Sequence, residues 1–511
     1  MSRPVRAVRA VRRGWRPITG SGAVVVAAWV AGCSHPHASG DAPATAFDRS
    51  RPPVLGPPAT LVLPTITRRV LPNGLQLAIV ERHNLPLADF ILVARTGTEA
   101  DAADKAGVST LAANLLTRGT ASRSATAIAE QEALLGVSLN ARSSWDQTTI
   151  GLHTTVVQLD SALALFADVA LHPAFAADEV ERAKQLRATQ LIELSDQAPF
   201  VASRAFDVIL YGGESPYGRP TLGTERSIAA ITRQNLVASY TTAFQPRNCV
   251  LIAVGDVNAD DVERRARALF GNWPSARAGM ATSGAAPTVA PAVRPRTPNG
   301  ALTIYLIDKP DAPQSSMRLG SVGVARSTPD YFALTVLNSA LGGAFTSRLN
   351  QNLRETHGYT YGAFTDFDMR RDAGPFTAEA EVVSAKTDSS LLEFMRELRA
   401  IRDTMPTAEL DKTKRYLQLQ LPEDLETTTD IARHLVTVVV YGLPDDFLNS
   451  YQAHVAAVSQ ADVQRVARHY IDPGNLTIIV VGDRKSIESS LRATGVGRIE
   501  LRGSSGEVVQ P

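Results

Sequence analysis

The sequence predicts an α+β protein made of two copies of one domain. Three observations carry that expectation. Pro246, Asn248 and the apolar strand pattern ending in Gly255 and Asp256 recur as Pro473, Asn475 and a strand pattern ending in Gly482 and Asp483, each at an offset of 227. The helical pattern at residues 179–184 has a counterpart at 409–414, an offset of 230. A period this long is that of a domain and not of a solenoid unit. Strand patterns also cluster in hairpins while helical patterns come in runs, which favours antiparallel sheets packed with helices over a doubly wound parallel sheet. Between the copies, residues 275–300 are rich in Ala, Pro, Gly and Ser and read as a linker, so the two domains are expected at 65–274 and 301–505.

Taken in order, the chain opens with six arginines and no acid in residues 1–32, and within that stretch lies the short apolar run AVVVAAWVA. That run is too short to span a bilayer core of roughly 30 Å and reads as part of an export signal. VAGC, residues 30–33, looks like a bacterial lipobox, which makes Cys33 the expected lipidated first residue of a periplasm-facing lipoprotein of the cell envelope. Residues 33–64, rich in Pro, Ala, Ser and Gly, read as a tether. With six of the 52 Lys and Arg in that opening stretch, the remainder carries 46 bases against 51 acids, a net −5. A mildly acidic body without a basic cluster argues against nucleic acid as a partner.

In the first copy, Asn73 and Gly74 signal a hairpin turn between RRVL and LQLAIV, and a strand, ADFILVART, follows. Helical periodicity covers residues 108–116, 125–135, 157–170, 178–194, 201–210 and 228–242, and a strand covers 249–254. Cys249, inside CVLIAVG, reads as a small core residue. The nine histidines are scattered, with no two spaced to share a helix face with a carboxylate.

In the second copy, LGGAFTSRLNQNLRETHGYTYGA (341–363) places Phe345, Leu349 and Leu353 at i, i+4, i+8 spacing, as on the buried face of one helix. Gly358 breaks that helix before the strand-like YTYGAFTDF, and Arg354 and Tyr361 flank the corner. The SRLxQNLRExxGYTYG arrangement closely resembles the second-half domain of the insulinase and pitrilysin family of zinc peptidases, and the similarity runs over roughly residues 65 to 500. The resemblance implies two α+β halves facing each other across a cavity. It also implies that Arg354 and Tyr361 are the pair that reaches the active site.

Active members of that family carry HxxEH, two zinc ligands one helical turn apart with a general base between them. The corresponding segment here is GVSTLAANLLTRGT (107–120), which puts Thr110 and Asn114 at the histidine positions and Ala113 at the glutamate. Counted on along the chain from Asn114, the third ligand position falls on Gln190. No metal is therefore expected on this chain. By the same resemblance, Asn140 and Ala141, in an edge-strand region, and the pair Gly342 and Gly343 are candidate substrate contacts. A chain that keeps Arg354 and Tyr361 but lacks the metal ligands resembles the noncatalytic subunit of two-chain bacterial peptidases of the family. The expected partners are an HxxEH-bearing subunit, in a heterodimer or higher assembly with zinc on that subunit, and a peptide substrate. The alternative is a pseudoenzyme scaffold or peptide-binding protein of the envelope.

Overall fold

The computed structural model describes residues 56, 58, 60–274 and 302–509. The export signal, Cys33 and the 275–300 linker lie outside the described residues. The first copy contains strands β1 (Thr67–Val70), β2 (Gln76–Glu81), β3 (Leu87–Ala94), β4 (Ser138–Ser143), β5 (Thr148–Thr155) and β6 (Cys249–Gly255). Its helices are α1 (Val108–Leu116), α2 (Ala125–Leu135), α3 (Leu159–Leu171), α4 (Ala177–Ser195), α5 (Ala198–Tyr211), α6 (Glu225–Ala230), α7 (Arg233–Ala243) and α8 (Ala259–Phe270). The second copy contains β7 (Leu302–Asp308), β8 (Gln314–Val322), β9 (Thr360–Phe367), β10 (Pro375–Val383), β11 (Thr477–Gly482) and β12 (Gly497–Arg502). Its helices are α9 (Tyr331–Asn338), α10 (Thr387–Asp403), α11 (Thr407–Asp424), α12 (Thr428–Tyr441), α13 (Phe447–Ala457), α14 (Gln460–Tyr470) and α15 (Arg484–Ala493).

The repeat is visible in these bounds, since α4 and α11 start at an offset of 230, as do α5 and α12. Each copy forms one six-stranded sheet, ordered β1-β2-β6-β3-β5-β4 and β12-β7-β11-β8-β10-β9. The α+β class stands, but the sheets are mixed and not purely antiparallel: β6 runs parallel to β2, and β11 and β12 run parallel to β7. The long helical crossover before β6 permits the parallel pairing. Burial on both faces requires the unbroken apolar runs of β6 and β11, in which every residue is buried. The helical stretch expected at 228–242 is two helices, because the backbone turns extended at Ile231 and Thr232 then caps α7 reciprocally with Asn235.

From Pro58 onward the described residues form one compact unit, held together by an exchange of helices. The stripe Val201, Ala202, Ala205 and Phe206 of α5 lies on the second sheet, against Ile307, Ile479 and Val481. Gly320 makes that approach possible, because a Cβ there would stand 2.7 Å from the Phe206 ring. Reciprocally, Ile431, Leu435, Val438 and Val439 of α12 cover Ala78, Val80, Val250, Ile252 and Val254 of the first sheet. The described end of the expected tether belongs to this body: the Leu61 and Leu63 amides donate to the Gln452 and Asn449 side chains of α13.

Candidate active site

The segment leading into α1 is built from short-range polar contacts. Gly107, at φ 90°, allows backbone to backbone contact with Gly223, which a Cβ would obstruct at 2.8 Å. Asp101 takes the place of a helix cap, its carboxylate accepting from the Gly107 amide (2.9 Å), the Ser109 amide (3.2 Å) and the Ser109 hydroxyl (2.5 Å). Burial pushes the Asp101 carboxyl up to about 6 against those bonds.

Of the four positions where the resemblance places metal chemistry, Thr110 and Ala113 are buried on α1, and Asn114 and Gln190 are exposed on α1 and α4. The Thr110 hydroxyl donates to Thr221 O (2.9 Å) and accepts from Arg187 Nη1 (3.0 Å), which also reaches Leu222 O (3.1 Å). Arg187, one turn before Gln190 on α4, is only 4% exposed. Burial lowers its pKa from the ordinary value, but an arginine remains charged. This donor set does not fit zinc. It comprises a hydroxyl already in use, a methyl group, two amides and a guanidinium of the metal's own sign. Among the described residues no cluster of three His, Cys, Asp or Glu could hold a metal ion.

In the second copy the stretch 341–363 departs from a single amphipathic helix. Ser339–Gly343 and Asn350–Thr356 are π-helical, with a turn between them. Leu349 and Leu353 are fully buried as the periodicity requires, but Phe345 is 64% exposed, because it sits in that turn, outside the helix. There its ring lies 4.0 Å beneath the Arg354 guanidinium. Arg354 approaches Glu355 at 3.6 Å, and its Nη1 is buried without a hydrogen-bond partner among the described residues. Gly358, at φ 63°, ends the segment.

The residue that ties Arg354 to the tyrosine strand is Asn350, which sequence reasoning missed. Its side-chain amide donates to Ala363 O (2.9 Å) and accepts from the Ala363 amide (3.0 Å), clamping the π-helical segment to β9. Only its 1% exposure marks it, and burial of an Asn is not legible in sequence. On β9, Ala363 faces Ala380 and Thr360 faces Val382, so Tyr361 and Gly362 together oppose Glu381 in a β-bulge. Thr360 Oγ1 holds it, accepting from the Gly362 amide (3.1 Å) and donating to Glu381 O (2.7 Å). Tyr361 emerges 92% exposed, while Ala363, Thr365 and Phe367 further along the strand are buried.

Asn140 and Ala141 lie on β4, the edge of the first sheet, with the Asn140 side chain against Gly151 of β5. Gly342 is buried where β9 crosses it, a Cβ there standing 2.5 Å from the Thr365 amide, whereas Gly343 is exposed. Beyond β9, the loop that follows is locked into the first copy. The Arg371 amide donates to Asp146 Oδ2 (2.8 Å) and its guanidinium to Glu99 (3.3 Å), Arg95 O and Asp146 O (both 3.1 Å). Tyr217 and Tyr441 donate to the same Asp146 carboxylate at 3.1 and 3.0 Å. Burial pushes Glu99 up to about 7, against the pull of Arg371.

Two repeated α+β halves, each a six-stranded mixed sheet packed with helices, define a peptidase-like protein of paired domains. Residues 77–225 match the insulinase family (peptidase family M16) and residues 230–417 match the peptidase M16 inactive domain. An uncharacterized zinc protease of Mycobacterium leprae is 30% identical over 318 residues, 62% of this chain and 68% of that protein. One from Mycobacterium tuberculosis is 28% identical over 440 residues, covering 85% and 98%. A probable mitochondrial-processing peptidase subunit beta of Schizosaccharomyces pombe is 25% identical over 448 residues, covering 85% and 94%. A peptidase M16 inactive domain of Pseudomonas fluorescens superposes with a TM-score of 0.72 at 25% identity, over 82% of this chain and 98% of that one. A protease of Helicobacter pylori gives 0.74 at 22%, over 82% and 100%, and shows the fold alone. The chain belongs to the insulinase family, peptidase family M16.

Proposed function

We propose that this chain is the noncatalytic subunit of a heteromeric insulinase-type zinc peptidase, carrying no zinc itself and lending Arg354 and Tyr361 to the active site of an HxxEH-bearing partner. The observation that carries the reading is the asymmetry between the two halves. Where the resemblance puts the metal, Arg187 donates to Thr110, while Tyr361 is held out by a bulge and the Arg354 guanidinium stacks over the exposed Phe345 ring. The partner would supply the metal and its water. Tyr361 would then donate a hydrogen bond to the oxyanion of the tetrahedral intermediate, and Arg354 would hold a substrate carbonyl. Preorganised donors of this kind contribute roughly 2.7–4 kcal/mol each. A peptide would add as a strand to the edge of a sheet, with Asn140 and Ala141 on β4 within its reach. The relatives named zinc proteases are consistent with a peptidase assembly, and Cys33 would anchor that assembly to the membrane from the periplasmic side.

The test is reconstitution. This chain and an HxxEH-bearing family subunit from the same genome are purified separately, mixed, and resolved by gel filtration. Turnover of an unstructured peptide is then measured per mole of complex. Activity present in the complex and absent from each chain alone is the expected result. Stable pairing with unchanged partner activity would instead assign this chain a scaffold role, as a pseudoenzyme.

A further inference from the structure

We propose that the Arg187 guanidinium is a resident cation that stands in for the metal, joining α4 to α1 where the ion would join them and closing the position to zinc. This rests on the reading that the chain carries no zinc, and goes further: the site is not merely missing ligands but is filled by a replacement charge.

The geometry points this way in three respects. Arg187 lies on α4 one turn from Gln190, and its Nη1 meets Thr110, the α1 residue at the first ligand position. Its acceptors are neutral: the Thr110 hydroxyl and Leu222 O, with Thr221 O taking the Thr110 proton so that the hydroxyl's lone pairs face the cation. Among the described ion pairs none includes Arg187, although a guanidinium 4% exposed is ordinarily paired with a carboxylate. Finally, the acceptor rim is a shaped turn. Gly223, at φ 80°, sits where a Cβ would meet Ala106 O at 2.5 Å, so the Leu222 carbonyl is aimed inward by a backbone that only glycine adopts readily. Two neutral oxygens converging on one nitrogen of a buried guanidinium put a side-chain cation where the resemblance would put an ion. A divalent ion one hydrogen-bond length further out would be repelled by the guanidinium enough to weaken its binding by roughly 10³-fold or more.

The experiment separates ligand loss from occupancy, with zinc itself as the probe. Three forms of the full chain are compared: wild type; the ligand variant Thr110→His, Asn114→His, Gln190→Glu; and the same variant with Arg187→Leu. Zinc content after dialysis, affinity by chelator competition and the zinc-induced shift in Tm are measured for each. Wild type and ligand variant are expected to hold no stoichiometric zinc. The Arg187→Leu form is expected to bind one zinc per chain, at least about 10³-fold more tightly than the ligand variant, with a raised Tm. If Arg187→Leu does not fold, Arg187→Gln, which keeps a donor without the charge, takes its place. Equal zinc affinity with and without Arg187 overturns the proposal, as does a folded charge-free form that binds none. Zinc in the wild type would overturn the underlying noncatalytic reading, a distinguishable failure.

Discussion

Arg371→Ala tests the junction that holds the two halves in register. The substitution keeps the backbone bond to Asp146 but removes guanidinium bonds to Glu99, Arg95 O and Asp146 O, at 3.3, 3.1 and 3.1 Å. Hydrogen bonds from charged groups are worth about 1.5–3 kcal/mol each when well formed. These are long, and the Arg371 side chain is 32% exposed, so the total loss should be about 3 kcal/mol. For a chain larger than the 150–250-residue reference, roughly 2 °C per kcal/mol applies, a fall in Tm of about 6 °C. The loss should also depend on pH. Glu99 stands at about 7 in the folded protein against 4.5 ordinarily, because burial disfavours its ionised form. The folded state therefore binds that proton more tightly than the unfolded chain, and stability falls as pH rises from about 4.5 through 7. Removing Arg371 raises Glu99 further. Wild type and variant should thus differ least at pH 5, where Glu99 is protonated in both, and most at pH 8. Thermal melts at the two pH values measure the gap, and Glu99→Gln placed in both backgrounds should abolish its growth. A gap equal at both pH values, or larger at pH 5, would refute the electrostatic account of this junction.

In the reconstituted complex, Tyr361→Phe should lower turnover per mole of complex by roughly 10² to 10³ while pairing and Tm stay unchanged, and a loss of pairing instead would mark a structural role. Phe345→Ala, which removes the ring beneath Arg354, should raise KM more than it lowers kcat if Arg354 grips ground-state carbonyls. Asn350→Ala should cost about 2 kcal/mol, read as a lowered Tm, because it orphans the buried Ala363 amide and carbonyl. Cys33→Ser should release the protein from membranes or block its processing. Membrane retention with the same processed N-terminus would refute lipidation.

The helix bounds 108–116 and the buried Leu349 and Leu353 were legible because hydrophobic periodicity reports directly which face of an element is covered, and the repeat of the two copies because its turn residues recur at a fixed offset. The side-chain identities at the positions where the resemblance puts metal chemistry were legible for a different reason: Thr110, Ala113 and Asn114 carry no imidazole or carboxylate wherever the chain places them. What covers a face is another matter. The apolar stripes of α5 and α12 announce burial but not that each lies on the other copy's sheet, since a stripe has no memory of which sheet it will meet. Phe345 continued the i, i+4 pattern yet left the helix, because the turn after Gly343 and a cation above its ring outweigh one more buried contact. The bulge exposing Tyr361, the Asn350 clamp and the Arg187 to Thr110 bond all join residues whose partners are set by strand pairing or by distant segments. Local sequence determines what a residue can donate or bury, and only the packed chain decides which group it meets.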